Sequence, residues 1–168
     1  ISIPTSDPGR TYRWGTMEGG STNGYFAIRM KSDIIHYEAN PDGSQRQEKF
    51  CHKPGLFCGL ILLTSVETGT PLAFINDGVL QHMRVGADGG LGVKYMAREN
   101  AQVVGMLGAG GMANTFMMAI CAARNIRKLQ VFSPTPARRK EFAARMRARH
   151  GIEVQVCDTP DQIYRGAD

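Results

Sequence analysis

The sequence predicts an α/β chain in two parts: a strand-rich region over residues 1–100, and from residue 101 the opening βαβ units of a parallel sheet. Two observations predict the division. Residues 1 to about 77 hold strand-like runs separated by turn clusters, whereas from 102 onward apolar runs alternate with helical patterns. The run Val103-Val104-Gly105-Met106-Leu107 then enters a glycine turn, Gly108-Ala109-Gly110-Gly111-Met112-Ala113, that opens straight into helix-forming sequence. With 42% apolar and 21% charged residues over 168 positions, the chain has enough apolar material for one sizeable core and is not a disordered tract.

In the first part, Tyr25 to Lys31 alternates so that Phe26, Ile28 and Met30 share one face and Ala27, Arg29 and Lys31 the other. Two cations therefore stand side by side. Asn40-Pro41-Asp42-Gly43-Ser44 reads as an exposed loop. Phe57 to Val66 and Pro71 to Ile75 read as strands joined by a hairpin at Glu67-Thr68-Gly69-Thr70. The glycine-rich stretch Trp14 to Gly20, which contains Glu18, reads equally as a solvated loop or as a lining for a site. Gly78 to Arg98 shows helical spacing at Val79, Leu80, Met83, Ala87, Leu91 and Val93, but Gly86, Gly89, Gly90 and Gly92 interrupt it. Each glycine costs a helix up to about 1 kcal/mol against alanine, so either the segment is not all helix or close packing offsets the cost.

In the second part, the glycine turn has the residues a dinucleotide requires. A pyrophosphate sits against backbone N–H groups at a helix N-terminus, where unpaired donors and the positive end of the dipole converge. Gly108 allows the tight turn, Gly110 leaves room for the phosphates, and Ala113 lets the helix, Ala113 to Arg124, approach the strand. A G-x-G-x-x-G/A match alone is weak in a chain with 20 glycines. Context strengthens it, because a second strand, Leu129 to Phe132, arrives where a βαβ unit of about thirty residues places it. This part is thus expected to be a truncated Rossmann-type dinucleotide-binding domain, continuing through a third strand-like run from Ile152 to Cys157.

The end of the second strand selects the coenzyme. A carboxylate there accepts hydrogen bonds from the ribose of NAD, whereas an arginine accommodates the extra phosphate of NADP. The chain reads Ser133-Pro134-Thr135-Pro136-Ala137-Arg138-Arg139, with no carboxylate, so NADP(H) is favoured and NAD(H) is the alternative. Ser133, Thr135 and Arg138 are the candidate contacts. The same segment also reads as a helix start, with Thr135 as N-cap, Pro136 at the first position and both arginines solvated.

The formal net charge is +5, and much of the basic excess lies in Arg138, Arg139, Lys140, Arg145, Arg147 and Arg149. Without interleaved aromatic residues or a recognisable module, this is read as a solvated helix face and not as a nucleic-acid arm. No stretch has the length of a membrane span, and the first twenty residues lack the order of a signal peptide, so a cytoplasmic protein is expected. Cys51, His52 and Cys58 lack an evident fourth ligand, so no metal site is expected and the cysteines are read as thiols. A chain that starts at Ile1 and ends just past a third strand is expected to be part of a longer protein. Its incomplete parallel sheet is expected to leave edges uncovered.

Taken together, Glu67-Thr68-Gly69-Thr70-Pro71-Leu72-Ala73, Met83-Arg84-Val85-Gly86-Ala87, Lys94-Tyr95-Met96-Ala97-Arg98-Glu99-Asn100 and the glycine turn resemble, in order and spacing, the ornithine cyclodeaminase and mu-crystallin family. The resemblance covers residues 24–168. It implies homodimers that pair a strand-rich substrate and dimerisation domain with a nucleotide-binding domain, and hydride transfer at the α-carbon of a small amino acid or its imine. It further implies that Lys31 stands near the substrate as the catalytic residue, with Arg29 two residues away as the alternative, and that Arg84 holds the substrate carboxylate through two parallel hydrogen bonds. Two departures stand out. Val85 occupies a position where the family usually has threonine, and the family's other N-terminal arginine has only Arg10 and Arg13 as candidates. The cyclodeaminase aspartate falls beyond Asp168. The expected activity is therefore imine reduction or amino-acid dehydrogenation. Ornithine cyclodeamination, and a mu-crystallin-like NADP(H)-binding protein without turnover, are the alternatives.

Overall fold

The computed structural model describes residues 1–50 and 59–168. Contacts divide the chain into two compact units, Ile1–Leu80 and Gln81–Asp168.

The first unit is an antiparallel sheet of β1 (Ser2–Pro4), β2 (Arg10–Ser21), β3 (Tyr25–Ala39), β4 (Gln45–Phe50), β5 (Gly59–Ser65) and β6 (Pro71–Asn76). The order is β1-β2-β3-β5-β6, and β4 also pairs with β3. β3 serves both neighbours because it is long: Tyr25–Lys31 pairs with β5, and Ile34–Ala39 with β4. The Trp14–Gly20 stretch is not a loop. It lies within β2, paired with β3 without interruption from Arg10↔His36 to Ser21↔Tyr25. Glycine lowers strand propensity locally, but a continuous partner strand satisfies the backbone and overrides it. The β5–β6 hairpin closes through the Ser65 N–H on the Thr70 carbonyl at 2.9 Å, with Gly69 at φ +70°. The expected strand from Phe57 is described only from Gly59, and Cys51, His52 and Cys58 lie outside the described residues.

The second unit contains nearly all of α1 (Gly78–Met96), together with a parallel sheet β7-β8-β9 (Val103–Leu107, Lys128–Phe132, Glu153–Val156) and the crossover helices α2 (Gly111–Ala123) and α3 (Pro136–His150). Its core is formed by Met117 of α2, Leu129 and Val131 of β8, Phe142, Ala143 and Met146 of α3, and Val154 of β9. The central strand contributes a continuous apolar face, as a strand covered by helices must. Despite its glycines α1 is one continuous helix, and the reason is close packing. A Cβ on Gly86, Gly89 or Gly90 would come within 2.3–2.6 Å of Thr115, Phe116 or Ala119 of α2. That packing places α1 with the parallel sheet, so the structural division falls near its start and not at residue 100. Arg124, just past α2, caps the end of α1 by donating to the carbonyls of Lys94, Ala97 and Arg98 at 2.8–2.9 Å.

Candidate active site

The β7–α2 turn carries Gly108, Ala109, Gly110, Gly111, Met112 and Ala113. Gly108 has φ +110°, a conformation that side-chain-bearing residues rarely adopt. Its N–H donates to the Phe132 carbonyl at 2.7 Å, joining the turn to the end of β8. Gly110 is the extended N-cap of α2, no side chain caps the helix, and its first turn holds no acidic residue. Ala109 and Ala113 are buried against the β8 core, which brings helix and strand close. A Cβ added at Gly108 or Gly110 would meet no protein atom within 4 Å. A cavity of about 450 Å³ reaches Gly108, Gly110, Met112 and Ala113 at one end and continues along the apolar side chains of β7 and α2, among them Val104, Met106, Phe116 and Ile120. Open space over uncapped helix donors with no opposing charge is what a pyrophosphate needs, so the residues present fit a dinucleotide.

At the end of β8, Ser133 is buried, while Thr135 and Arg138 are exposed. Thr135 occupies the N-cap of α3, but its hydroxyl makes no capping bond, which leaves it available for other partners. The expectation of two solvated arginines holds only for Arg138. Arg139 is 8% exposed, donates from Nη1 to the Cys157 carbonyl, and lies 5.1 Å from the centroid of the Phe132 ring. Four residues into α3, its side chain is carried inward toward the sheet. Three more cations of the basic face are engaged: Arg145 with Glu141, Arg147 with the Val154 carbonyl, and Arg149 with the Met118 sulfur.

The first unit carries a separate charged strip. Arg29, Lys31 and Asp33 alternate onto one face of β3, and Arg13 of β2 stands directly opposite Asp33. One oxygen of Asp33 accepts from Arg13 Nη2 at 3.1 Å and faces Lys31 Nζ at 3.5 Å. Arg29 pairs with Asp77, the residue after β6. Both carboxylates are almost fully buried, Asp33 at 4% and Asp77 at 1% exposure. A Cβ at Gly59 would come within 2.5 Å of the Asp77 carboxylate, so glycine there makes room for it. Lys31 is the more accessible of the two candidate cations on β3, with 30% of its side chain exposed against 12% for Arg29. Asp33 follows the alternation of β3 and was readable from it. Asp77 lies 48 positions from its partner, and only the sheet register brings them together.

Arg84 lies on α1 in the second unit, where its guanidinium bonds Asp88 one turn on at 2.8 Å. Burial pushes the Cys121 and Cys157 thiols up, so neither is poised as a nucleophile. Among the described residues, no three His, Cys, Asp or Glu side chains gather as a metal site, and no helix is long and apolar enough to cross a membrane.

The model of the ornithine cyclodeaminase/mu-crystallin family matches residues 54–168. The chain belongs to that family. Over 110 residues, 66% of this chain and 34% of the relative, it is 32% identical to a Delta(1)-pyrroline-2-carboxylate reductase of Bacillus cereus. The solved structure of Thermococcus litoralis Delta(1)-pyrroline-2-carboxylate reductase in complex with NADH and L-proline is similar with a TM-score of 0.65 and 27% identity, over 93% of this chain and 50% of that one. An archaeal alanine dehydrogenase dimer with bound NAD is similar with a TM-score of 0.70 and 26% identity, over 94% and 44%. The chain thus spans 34% of that sequence relative and half or less of these solved neighbours.

Proposed function

We propose that the protein is an NAD(P)(H)-dependent oxidoreductase acting on a small amino acid or its cyclic or linear imine, with NADP(H) preferred. The observation that carries the reading is the β7–α2 turn, with an uncapped helix N-terminus, Gly108 in a positive-φ conformation and open space over Gly108 and Gly110. The family, whose members here include a pyrroline-2-carboxylate reductase and an alanine dehydrogenase, supplies the substrate class. When bound, the nicotinamide gives or accepts the hydride. The turn from Gly108 to Ala113 holds the pyrophosphate, and Ser133, Thr135 and Arg138 face the adenosine ribose, where Arg138 meets the extra phosphate. The solved neighbours hold NADH and NAD. The preference for NADP(H) is read from this chain's own loop, which has an exposed arginine and no carboxylate between Ser133 and Arg139.

On the substrate side, Arg84 takes the carboxylate. Its present partner Asp88 is exposed, and a surface pair of this kind is worth about 0–1 kcal/mol, so exchanging it for a substrate carboxylate costs little. Lys31, the more accessible cation of the strip, orients the imine and tunes proton transfer to nitrogen. Arg29, engaged with Asp77, adds fixed positive charge beside it. The protein acts as a homodimer, supported by the dimeric alanine dehydrogenase neighbour and by the exposed apolar face of Leu60 and Phe74 on the antiparallel sheet.

The test is fluorescence titration with NADPH and NADH on wild type and Arg138→Ala. Loss of a charge-assisted bond should weaken NADPH by about tenfold to a hundredfold and leave NADH nearly unchanged. Absence of binding to either nucleotide overturns the reading. Turnover is then assayed with Δ1-pyrroline-2-carboxylate and NADPH. Lys31→Ala should lower kcat by about a hundredfold, and Arg84→Ala should chiefly raise KM. Net consumption of NADPH separates reduction from cyclodeamination, which recycles its coenzyme.

A further inference from the structure

We infer that Arg139 is a positioning residue for coenzyme selection: buried, and held against Phe132 and the Thr135 carbonyl on either side of Ser133, it fixes the loop's shape and so sets the ratio of NADPH to NADH affinity, while Arg138 makes the contact. The inference rests on reading the β7–α2 turn as a dinucleotide site.

Arg139 spans the ends of two adjacent parallel strands. Its Nη1 donates to the carbonyl of Cys157, just past β9, and its guanidinium lies over the ring of Phe132, the last residue of β8, in a cation–π contact. The carboxylate of Asp158, next along the chain and 90% exposed, lies 3.5 Å from Nη1. The Arg139 backbone N–H donates to the Thr135 carbonyl at 3.2 Å, so the same residue also closes the first turn of α3. Phe132 and Thr135, which flank the loop, are thereby held, the first through its ring and the second through its carbonyl. The other anchor of this loop is the bond from Gly108 N–H to the Phe132 carbonyl, which comes from the phosphate-binding turn itself. Displacement of Phe132 would reach both the pyrophosphate and the ribose ends of the site.

A structural role alone accounts poorly for an arginine here. Its Nε is buried with no hydrogen-bond partner, and its carboxylate neighbour is out in solvent. Burying a guanidinium with incomplete pairing is unfavourable, and a methionine would fill the same space without that penalty. What arginine adds is a planar group that lies over a ring while its edge bonds a backbone carbonyl, a combination that fixes orientation. Such a constraint matters most where a loop must hold an anion at a set distance.

The experiment measures dissociation constants for NADPH and NADH by fluorescence on the full chain, for wild type, Arg139→Met, Arg139→Lys and Phe132→Leu, with Tm recorded for each. The expected result is a change in the NADPH to NADH ratio of about fivefold or more in Arg139→Met, with Arg139→Lys intermediate, because lysine keeps the charge and one bond but loses the planar group. A purely structural role would lower Tm, or weaken both nucleotides equally, and leave the ratio within about twofold. That outcome overturns the inference while the dinucleotide site stands. If the Arg139 variants do not fold, Phe132→Leu decides. It removes the ring beneath the guanidinium while keeping an apolar side chain at the end of β8, and an unchanged ratio in it overturns the inference. A wild type that prefers NADH overturns the NADP reading but leaves the role of Arg139 to be judged by the same ratio. A wild type that binds neither nucleotide overturns both.

Discussion

The β7–α2 turn and the charged strip on β2 and β3 manage charge in opposite ways. The turn has no ionised side chain from Gly108 to Ala113, and its attraction for an anion comes from backbone N–H groups and the α2 dipole. The strip gathers Arg13, Arg29 and Lys31 around Asp33 and Asp77, two carboxylates that are almost fully buried. A backbone site needs no counter-ion when empty, because partial charges at a helix end are readily hydrated. Full charges inside a sheet must be neutralised in place, so the strip contains its own partners. It follows that side-chain changes should act on stability in the strip, and that added side-chain bulk should act on binding in the turn.

The largest effect is expected at Asp77. Removing one member of a buried ion pair costs about 3–5 kcal/mol. Asp77→Ala should therefore shift the denaturant midpoint of the first unit strongly. Replacing both members, Arg29→Met with Asp77→Leu, should recover most of the loss, since a buried ion pair and a packed apolar pair are close in free energy. A loss below about 1 kcal/mol in Asp77→Ala would mean that the strip is hydrated like a surface, and the contrast with the turn would fail.

Gly110→Ala tests the other side. The added methyl meets no protein atom within 4 Å, and the extended N-cap conformation suits alanine, so Tm should move little. The same methyl enters the space above the helix donors. NADPH affinity should fall by about tenfold, the factor that corresponds to roughly 1.4 kcal/mol of lost contact. A large fall in Tm with unchanged affinity would show that Gly110 serves packing and not phosphate approach.

The same contrast explains what was legible in the sequence. The turn, its flanking strands and helices, and the β5–β6 hairpin are encoded by residues close together in the chain, through glycine placement, apolar runs and spacing. Position alone could not settle whether Gly86, Gly89 and Gly90 break α1 or pack it closely, because Thr115, Phe116 and Ala119 that fill the groove belong to another helix. β2 was hidden for a related reason: Gly15, Gly19 and Gly20 weaken the local strand signal, and the pairing that restores it comes from β3. Arg139 looked like its neighbour Arg138, and only the rotation of α3 separates a buried residue from an exposed one. The partnership of Arg29 with Asp77 depends on the register of three strands, β3, β5 and β6, which no local pattern records.

A smaller effect tests how the parallel half treats a titratable group without a partner. His150 ends α3 with Nε2 buried and unbonded, and burial, reinforced by the neighbouring Arg149 charge, holds its pKa below the ordinary 6.5. The unfolded chain thus takes up the proton first as pH falls, so stability is fully present above about pH 6.5 and declines below it until the folded-state pKa is passed. His150→Gln should flatten the pH dependence of stability between pH 7 and 5, read as the difference between variant and wild-type denaturation midpoints, which cancels the other histidines. A variant curve parallel to wild type would show that His150 is hydrated in solution. Neutralisation by burial would then not be how this half of the molecule handles charge, and Arg139 would stand as its one buried charged residue among those described.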